Sequence, residues 1–103
     1  MAKSRFSIIM DYQNAMRQAE NLEKIAEELK QCIDNSETFK ANVRGSWNGE
    51  NAELYISKTE QSTERLRQIR NSVIATKDVV KRIAKRTYDS EMAALDISTK
   101  RTY

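Results

Sequence analysis

Gly45-Ser46-Trp47-Asn48-Gly49-Glu50-Asn51-Ala52 decides how this chain folds. The stretch holds the only tryptophan and both glycines, and proline is absent throughout. Glycine weakens a helix and supplies the unusual backbone angles of a tight reversal. The sequence therefore has one break near its middle and an uninterrupted arm on either side. Its 103 residues suit one small domain. Charged residues make up 32% of it. Ala, Glu, Lys, Arg, Gln and Leu dominate, which is the composition of long helices.

The first arm has a regular heptad stripe. Ile8, Tyr12, Ala15, Ala19, Leu22, Ala26, Leu29 and Ile33 alternate at spacings of four and three, flanked by Met16, Ile25 and Cys32. Most other positions are polar, so the arm predicts an amphipathic helix over about 7–41. The second arm reads the same way through Ala52, Tyr55, Thr59, Ser62, Leu66, Ile69, Val73, Thr76, Val80 and Ile83. The pair Val73-Ile74 favours a strand locally, but no turn signal follows from Ala52 to Ala94. One helix is expected over about 51–95, after a turn at about 42–50 and before a frayed polar tail, 98–103.

Charge favours folding the arms together. Asp11 to Glu37 has seven acids and three bases, a net of −4, and Arg65 to Arg86 has eight bases and one acid, a net of +7. Exposed ion pairs each contribute little, so charge selects the pairing more than it stabilises it. The expected fold is all-α: an antiparallel two-helix hairpin with its turn at Gly45–Gly49. Two helices cannot cover both apolar stripes, so a second hairpin or a helical partner is expected to complete a four-helix bundle. Tyr12, Ala19, Leu22, Ala26, Leu29, Ile33, Leu66, Ile69, Val73, Val80 and Ile83 are the expected bundle interface. At the turn, Asn48 or Asn51 is placed to cap the second helix, with Glu50 in its first turn. Gly45 and Gly49 are expected to supply the reversal, and Trp47 reads either as a plug over the hairpin's end or as a recognition residue.

Several chemistries are disfavoured. Histidine is absent and Cys32 is the lone cysteine, which removes the usual zinc ligand sets, the commonest general base and any internal disulfide. Cys32 reads as a small buried residue beside the seam. Glu20, Glu23, Glu27 and Glu28 lack the histidine of a bundle metal site. No enzyme, cofactor, metal or small-molecule substrate is expected. Lys77, Lys81, Arg82, Lys85 and Arg86 form a basic stretch without interleaved aromatics, which reads as a solvated face. A basic coiled coil that binds nucleic acid, or a membrane-surface helix, is the reading from another class. No secretory signal or transmembrane run is expected, because the apolar segment Phe6–Met10 is short and Asp11 ends it.

The chain resembles the WXG family, the small early-secreted-antigen-like proteins of type VII (ESX) secretion. The resemblance rests on length, two amphipathic arms, and Trp47-Asn48-Gly49 at the midpoint, followed by Ala52 and Tyr55. It implies a helical hairpin that pairs with itself or a sister hairpin. It also implies export from the bacterial cytoplasm by a membrane ATPase machine without a cleaved signal. The family's recognition feature joins the Trp-Xaa-Gly turn of one subunit to a Tyr-Xaa-Xaa-Xaa-Asp/Glu motif on the partner. Trp47 and Gly49 match the turn half. The other half departs from the pattern, because Met92 stands four residues after Tyr88, and Asp96 four residues after Met92. The resemblance thus implies a non-enzymatic export partner, or an adaptor that guides a larger toxin by pairing with its helical N-terminal region. A self-sufficient homodimeric secreted substrate is the alternative. The expected recognition residues are Trp47, Gly49, Tyr88, Met92 and Asp96.

Overall fold

The computed structural model describes residues 3–47 and 49–100. The described chain is an all-α antiparallel hairpin of two helices, α1 (Arg5–Ser46) and α2 (Glu50–Lys100). Ser4 starts α1: its hydroxyl accepts from the Ser7 amide at 3.1 Å and its carbonyl from Ile8 at 3.0 Å, which occupies amides that the first turn leaves open.

The reversal is tighter than the sequence suggests. Gly45 lies inside α1, and only Gly49 takes a left-handed angle, φ 102°. Helix α1 continues past the expected end near residue 41 because Val43 is buried against Ala52 and Ile56. Keeping Val43 helical offsets the cost of one helical glycine, about 1 kcal/mol. The Gly49 carbonyl accepts from the Glu53 amide at 3.3 Å, so Gly49 itself opens α2, with Glu50 and Glu53 favourably placed in its first turn. Asn51, expected as a cap, is already helical. Asn48, the other expected cap, lies outside the described residues. At the far end α2 runs to Lys100, beyond the expected end near 95, since no breaker intervenes. Tail residues 101–103 also lie outside the described residues.

Two compact units divide the hairpin: Met1–Leu22 with Ala75–Tyr103, and Glu23–Ile74. The second contains the turn. Beneath that turn Val43, Ala52 and Ile56 form a buried cluster, and Ala26 and Thr63 are buried further along. Thr63 is fully covered, and its hydroxyl donates to the Thr59 carbonyl at 2.7 Å, so its burial leaves no unmet polar group. Arg70 reaches across to donate from Nε to the Ala26 carbonyl at 3.1 Å. Lys40 is also buried, with Glu37 at 3.0 Å and Glu60 at 3.5 Å from its ammonium. In the other unit Ile8, Ala19 and Ala84 are buried, and the Tyr12 and Tyr88 rings meet with centroids 4.9 Å apart. Lys3 bridges Asp11 at 2.8 Å and Glu91 at 3.2 Å.

The stripe read in α1 is the one that packs: Tyr12, Ala15, Leu22, Leu29 and Ile33 are half-buried, and Ile8, Ala19 and Ala26 are buried. In α2 the packed stripe is shifted by one residue at alternate positions. Ile56, Thr63, Arg70, Lys77 and Ala84 face the seam, whereas the expected Tyr55, Ser62, Ile69, Thr76 and Ile83 are exposed. Hydropathy alone chose the wrong column, since Arg70 and Lys77 bury their aliphatic stems while their charged ends reach polar partners or solvent. Charge also acts differently from the expected acid-on-base match. Glu37–Arg67 at 2.7 Å follows it, but Lys3–Glu91, Lys40–Glu60 and Arg44–Glu60 join bases of the first arm to acids of the second.

The two glycines make opposite predictions. Neither would bring an added methyl within 4 Å of another group. Gly45→Ala should stabilise the hairpin by about 0.5–1 kcal/mol through helix propensity, and Gly49→Ala should destabilise it by about 1–2 kcal/mol through its left-handed angle. Urea denaturation of both variants checks the signs. A second prediction follows from Glu37, whose carboxyl Lys40, and then Arg67, hold below the ordinary value against opposing desolvation. A lowered folded-state pKa contributes stability that is present above pH 4.5 and is lost as pH falls through the folded value. Glu37→Gln should therefore lower the urea midpoint at about pH 6 and have little effect at about pH 3.

Candidate functional site

The turn presents an aromatic corner on the surface. The Trp47 amide donates to the Val43 carbonyl at 2.8 Å, which extends the helical hydrogen bonding past the last residue of α1. The indole is 50% exposed and meets Tyr55 edge-to-face, with ring centroids 5.5 Å apart and planes at 78°. Tyr55 is similarly exposed one turn into α2. Trp47 is thus not a buried plug: Val43, Ala52 and Ile56 close the hairpin's end, and the indole lies outside them. The contact with Tyr55 and the helix end leave half of the indole in solvent.

The expected C-terminal residues lie in the other unit. Tyr88 is half-buried against Tyr12, with the Lys85 ammonium 5.8 Å from its ring centroid. Lys85 is held by Asp89 at 2.7 Å, which raises its pKa. Met92 is half-buried and Asp96 exposed, so the three expected recognition residues range from packed to open along the helix. Glu91, one position before Met92, is engaged with Lys3. In the same unit an apolar groove of about 270 Å³ opens between Ile8 and Ala15 of α1 and Val80, Ile83 and Thr87 of α2.

Of the expected bundle interface, Ala19 and Ala26 are buried, while Tyr12, Leu22, Leu29, Ile33, Leu66, Val73 and Val80 are half-buried. Ile69 and Ile83 point outward, at 51% and 56% exposure. Cys32 is exposed, not buried, because it sits one residue before the seam position Ile33. Phe39 is exposed in the same column, seven residues on, and Ile25 seven residues before. Spacing signals these residues, but a single-helix reading cannot tell seam from flank. Among the described residues no group of His, Cys, Asp or Glu is arranged to hold a metal ion, and no helix is long and apolar enough to cross a membrane. The basic stretch is not uniform: Lys77 and Lys81 are half-buried, whereas Arg82 and Arg86 are exposed.

No family model, curated protein or solved structure matches this chain.

Because the indole is peripheral, Trp47→Ala should cost about 1 kcal/mol, the worth of one aromatic pair. The expected result is a far-UV circular-dichroism spectrum like that of the parent and a melting temperature lower by about 4–8 °C. Wholesale unfolding would instead make Trp47 part of the core.

Proposed function

We propose that this chain is a non-enzymatic type VII secretion protein. It acts as an export partner or targeting adaptor that forms a helical bundle with a second hairpin or with the helical N-terminal region of a larger toxin. The observation that carries this reading is the exposed Trp47 indole braced by Tyr55 at the reversal, with Gly49 supplying the left-handed residue of the Trp-Xaa-Gly turn. A tryptophan kept at a surface with little role in packing is better explained by recognition than by stability.

The exposed large apolar residues support the second part of the reading. Ile25, Phe39, Tyr55, Ile69 and Ile83 are open on a hairpin whose own buried apolar set is small. Large apolar residues that recur every fourteen residues, two heptads, along one column of each helix suit another helix pair. Recognition would then use the Trp47 turn of one subunit and a helix end of its partner. Tyr88, Met92 and Asp96 are the residues of this chain proposed for the second half, acting alone or with an acidic motif from the partner.

The test is export from a bacterium that carries the machine, with the neighbouring genes' products co-expressed. Trp47→Ala should reduce the amount of this chain, or of its larger partner, outside the cells by about tenfold while helicity is retained, as expected of a central aromatic anchor. Unchanged export would refute the reading. Binding to duplex DNA that weakens steeply with salt, together with unchanged export, would establish the nucleic-acid alternative.

A further inference from the structure

The apolar groove of about 270 Å³ belongs to the unit formed by Met1–Leu22 and Ala75–Tyr103, and its origin is local. The Tyr12 and Tyr88 rings meet across the two helices, which fixes the antiparallel register of this unit. One turn further along α1 stands Ala15, and one turn back along α2 stands Ala84. The register therefore sets a small residue against a small residue, directly beside a bulky aromatic pair. Two methyl groups do not fill the width that two rings span, and the groove is the space left over. Ile8, Val80 and Ile83 extend its apolar wall. A cavity of about 150 Å³ already holds a benzene ring, so this groove accommodates one ring or a short alkyl chain together with a polar end.

The charge on the groove is of one sign. Among the described residues, the charged side chains that line it are Asp11 and Glu91, both acids. Lys81, Arg82, Lys85 and Arg86 follow Val80 closely in sequence but do not line it. Lys85, whose ammonium is 5.8 Å from the Tyr88 ring centroid, is paired with Asp89 at 2.7 Å. Lys3 places one ammonium between the two acids, 2.8 Å from Asp11 and 3.2 Å from Glu91. Two carboxylates and one ammonium leave a negative charge unbalanced where the acids border apolar wall. Lys3 also shows what these acids accept, an alkylammonium, here contributed by the chain itself from just ahead of α1. The faces of the tyrosine rings add a second attraction for a cation.

We infer that this groove binds a small amphipathic amine, with its ring or short chain against Ile8, Ala15 and Ile83, and its ammonium at Asp11 and Glu91 in competition with Lys3. The occupant is a free small molecule. The volume lies at the low end for ligand sites and suits one compact group, whereas a helix with its side chains is about 10 Å across. An anion with the same apolar part meets Asp11 and Glu91 and is repelled, and a neutral analogue gains the apolar contact alone. The inference stands apart from the export reading, since it concerns neither a helical partner nor the Trp47 turn.

The test is titration of the full-length chain with phenethylamine, followed through its backbone amide resonances at about pH 7, where the amine is charged and carboxylates are ionised. Phenethylamine should shift the resonances of Ala15, Ile83 and Thr87 saturably, with a Kd of about 1 mM or tighter. Phenylpropionate should bind about fivefold more weakly or worse, with phenethyl alcohol between the two. Lys3→Gln removes the competing ammonium and should tighten phenethylamine about threefold to fivefold, and Glu91→Gln should weaken it by a similar factor. Lys3 precedes both helices and its ion pairs are exposed, so Lys3→Gln keeps the fold, which far-UV circular dichroism checks. Thr87→Phe, which fills the groove from an exposed position, should abolish binding. The inference is overturned by the absence of saturable shifts, by shifts spread evenly over both helices, by equal binding of phenylpropionate, or by a Lys3→Gln chain that binds phenethylamine no tighter than the parent.

Discussion

The close approach of two helices through a narrow seam of small residues governs the rest of this structure. Among the described residues, four of the seven buried apolar ones are alanines: Ala19, Ala26, Ala52 and Ala84. Alanine adds little apolar area but lets two backbones come near each other. That proximity is what allows Arg70 to reach the Ala26 carbonyl and the fully covered Thr63 to fit. Larger side chains at these places would separate the helices and remove those contacts, and overpacking a fitted seam typically costs about 1–3 kcal/mol.

A thin seam also explains why charged residues belong in it. Lys40 is buried, yet its ammonium has carboxylates on two sides, Glu37 and Glu60. Arg70 and Lys77 occupy seam columns that an apolar residue would otherwise take. Both are half-buried and keep polar partners, Arg70 through Nε on the Ala26 carbonyl and Lys77 through its ammonium 3.7 Å from Asp78, which avoids the penalty of an unpaired buried charge. The apolar residues displaced from these columns, Tyr55, Ile69 and Ile83, stand one position away and outside. The polar seam and the apolar flank are thus two consequences of one register.

That register marks the limit of what the sequence makes legible. Composition, the absence of proline and the α1 stripe specify the two helices and the residues by which α1 packs. For α2, two columns one residue apart both satisfy the heptad, and hydropathy prefers the column with Ile69 and Ile83 over the one with Arg70 and Lys77. Only the packing of Ile56, Thr63 and Ala84 against α1 separates them. The turn was similarly half legible: two glycines invite a reversal at either, and the burial of Val43 decides for Gly49. Trp47 could be located from sequence as the singular residue of the reversal. Its exposure could not, because that depends on Val43, Ala52 and Ile56 closing the hairpin's end without it.

Apolar burial gives a further reason to expect a second layer. Of the seven buried apolar residues among those described, only Ile8, Val43 and Ile56 are large, and burying such a side chain contributes about 1.5–3 kcal/mol. Ordering each residue of a helix costs about 1–2 kcal/mol of backbone entropy before hydrogen bonding and packing offset it. Two helices of 42 and 51 residues therefore depend heavily on helix propensity and on half-buried residues along the seam. Ile25, Phe39, Tyr55 and Ile69 are where added burial would act, since they are large, regularly spaced and already ordered on helices. A partner that covers them gains apolar contact at little further entropic cost to this chain, so association and stability of the hairpin should rise together.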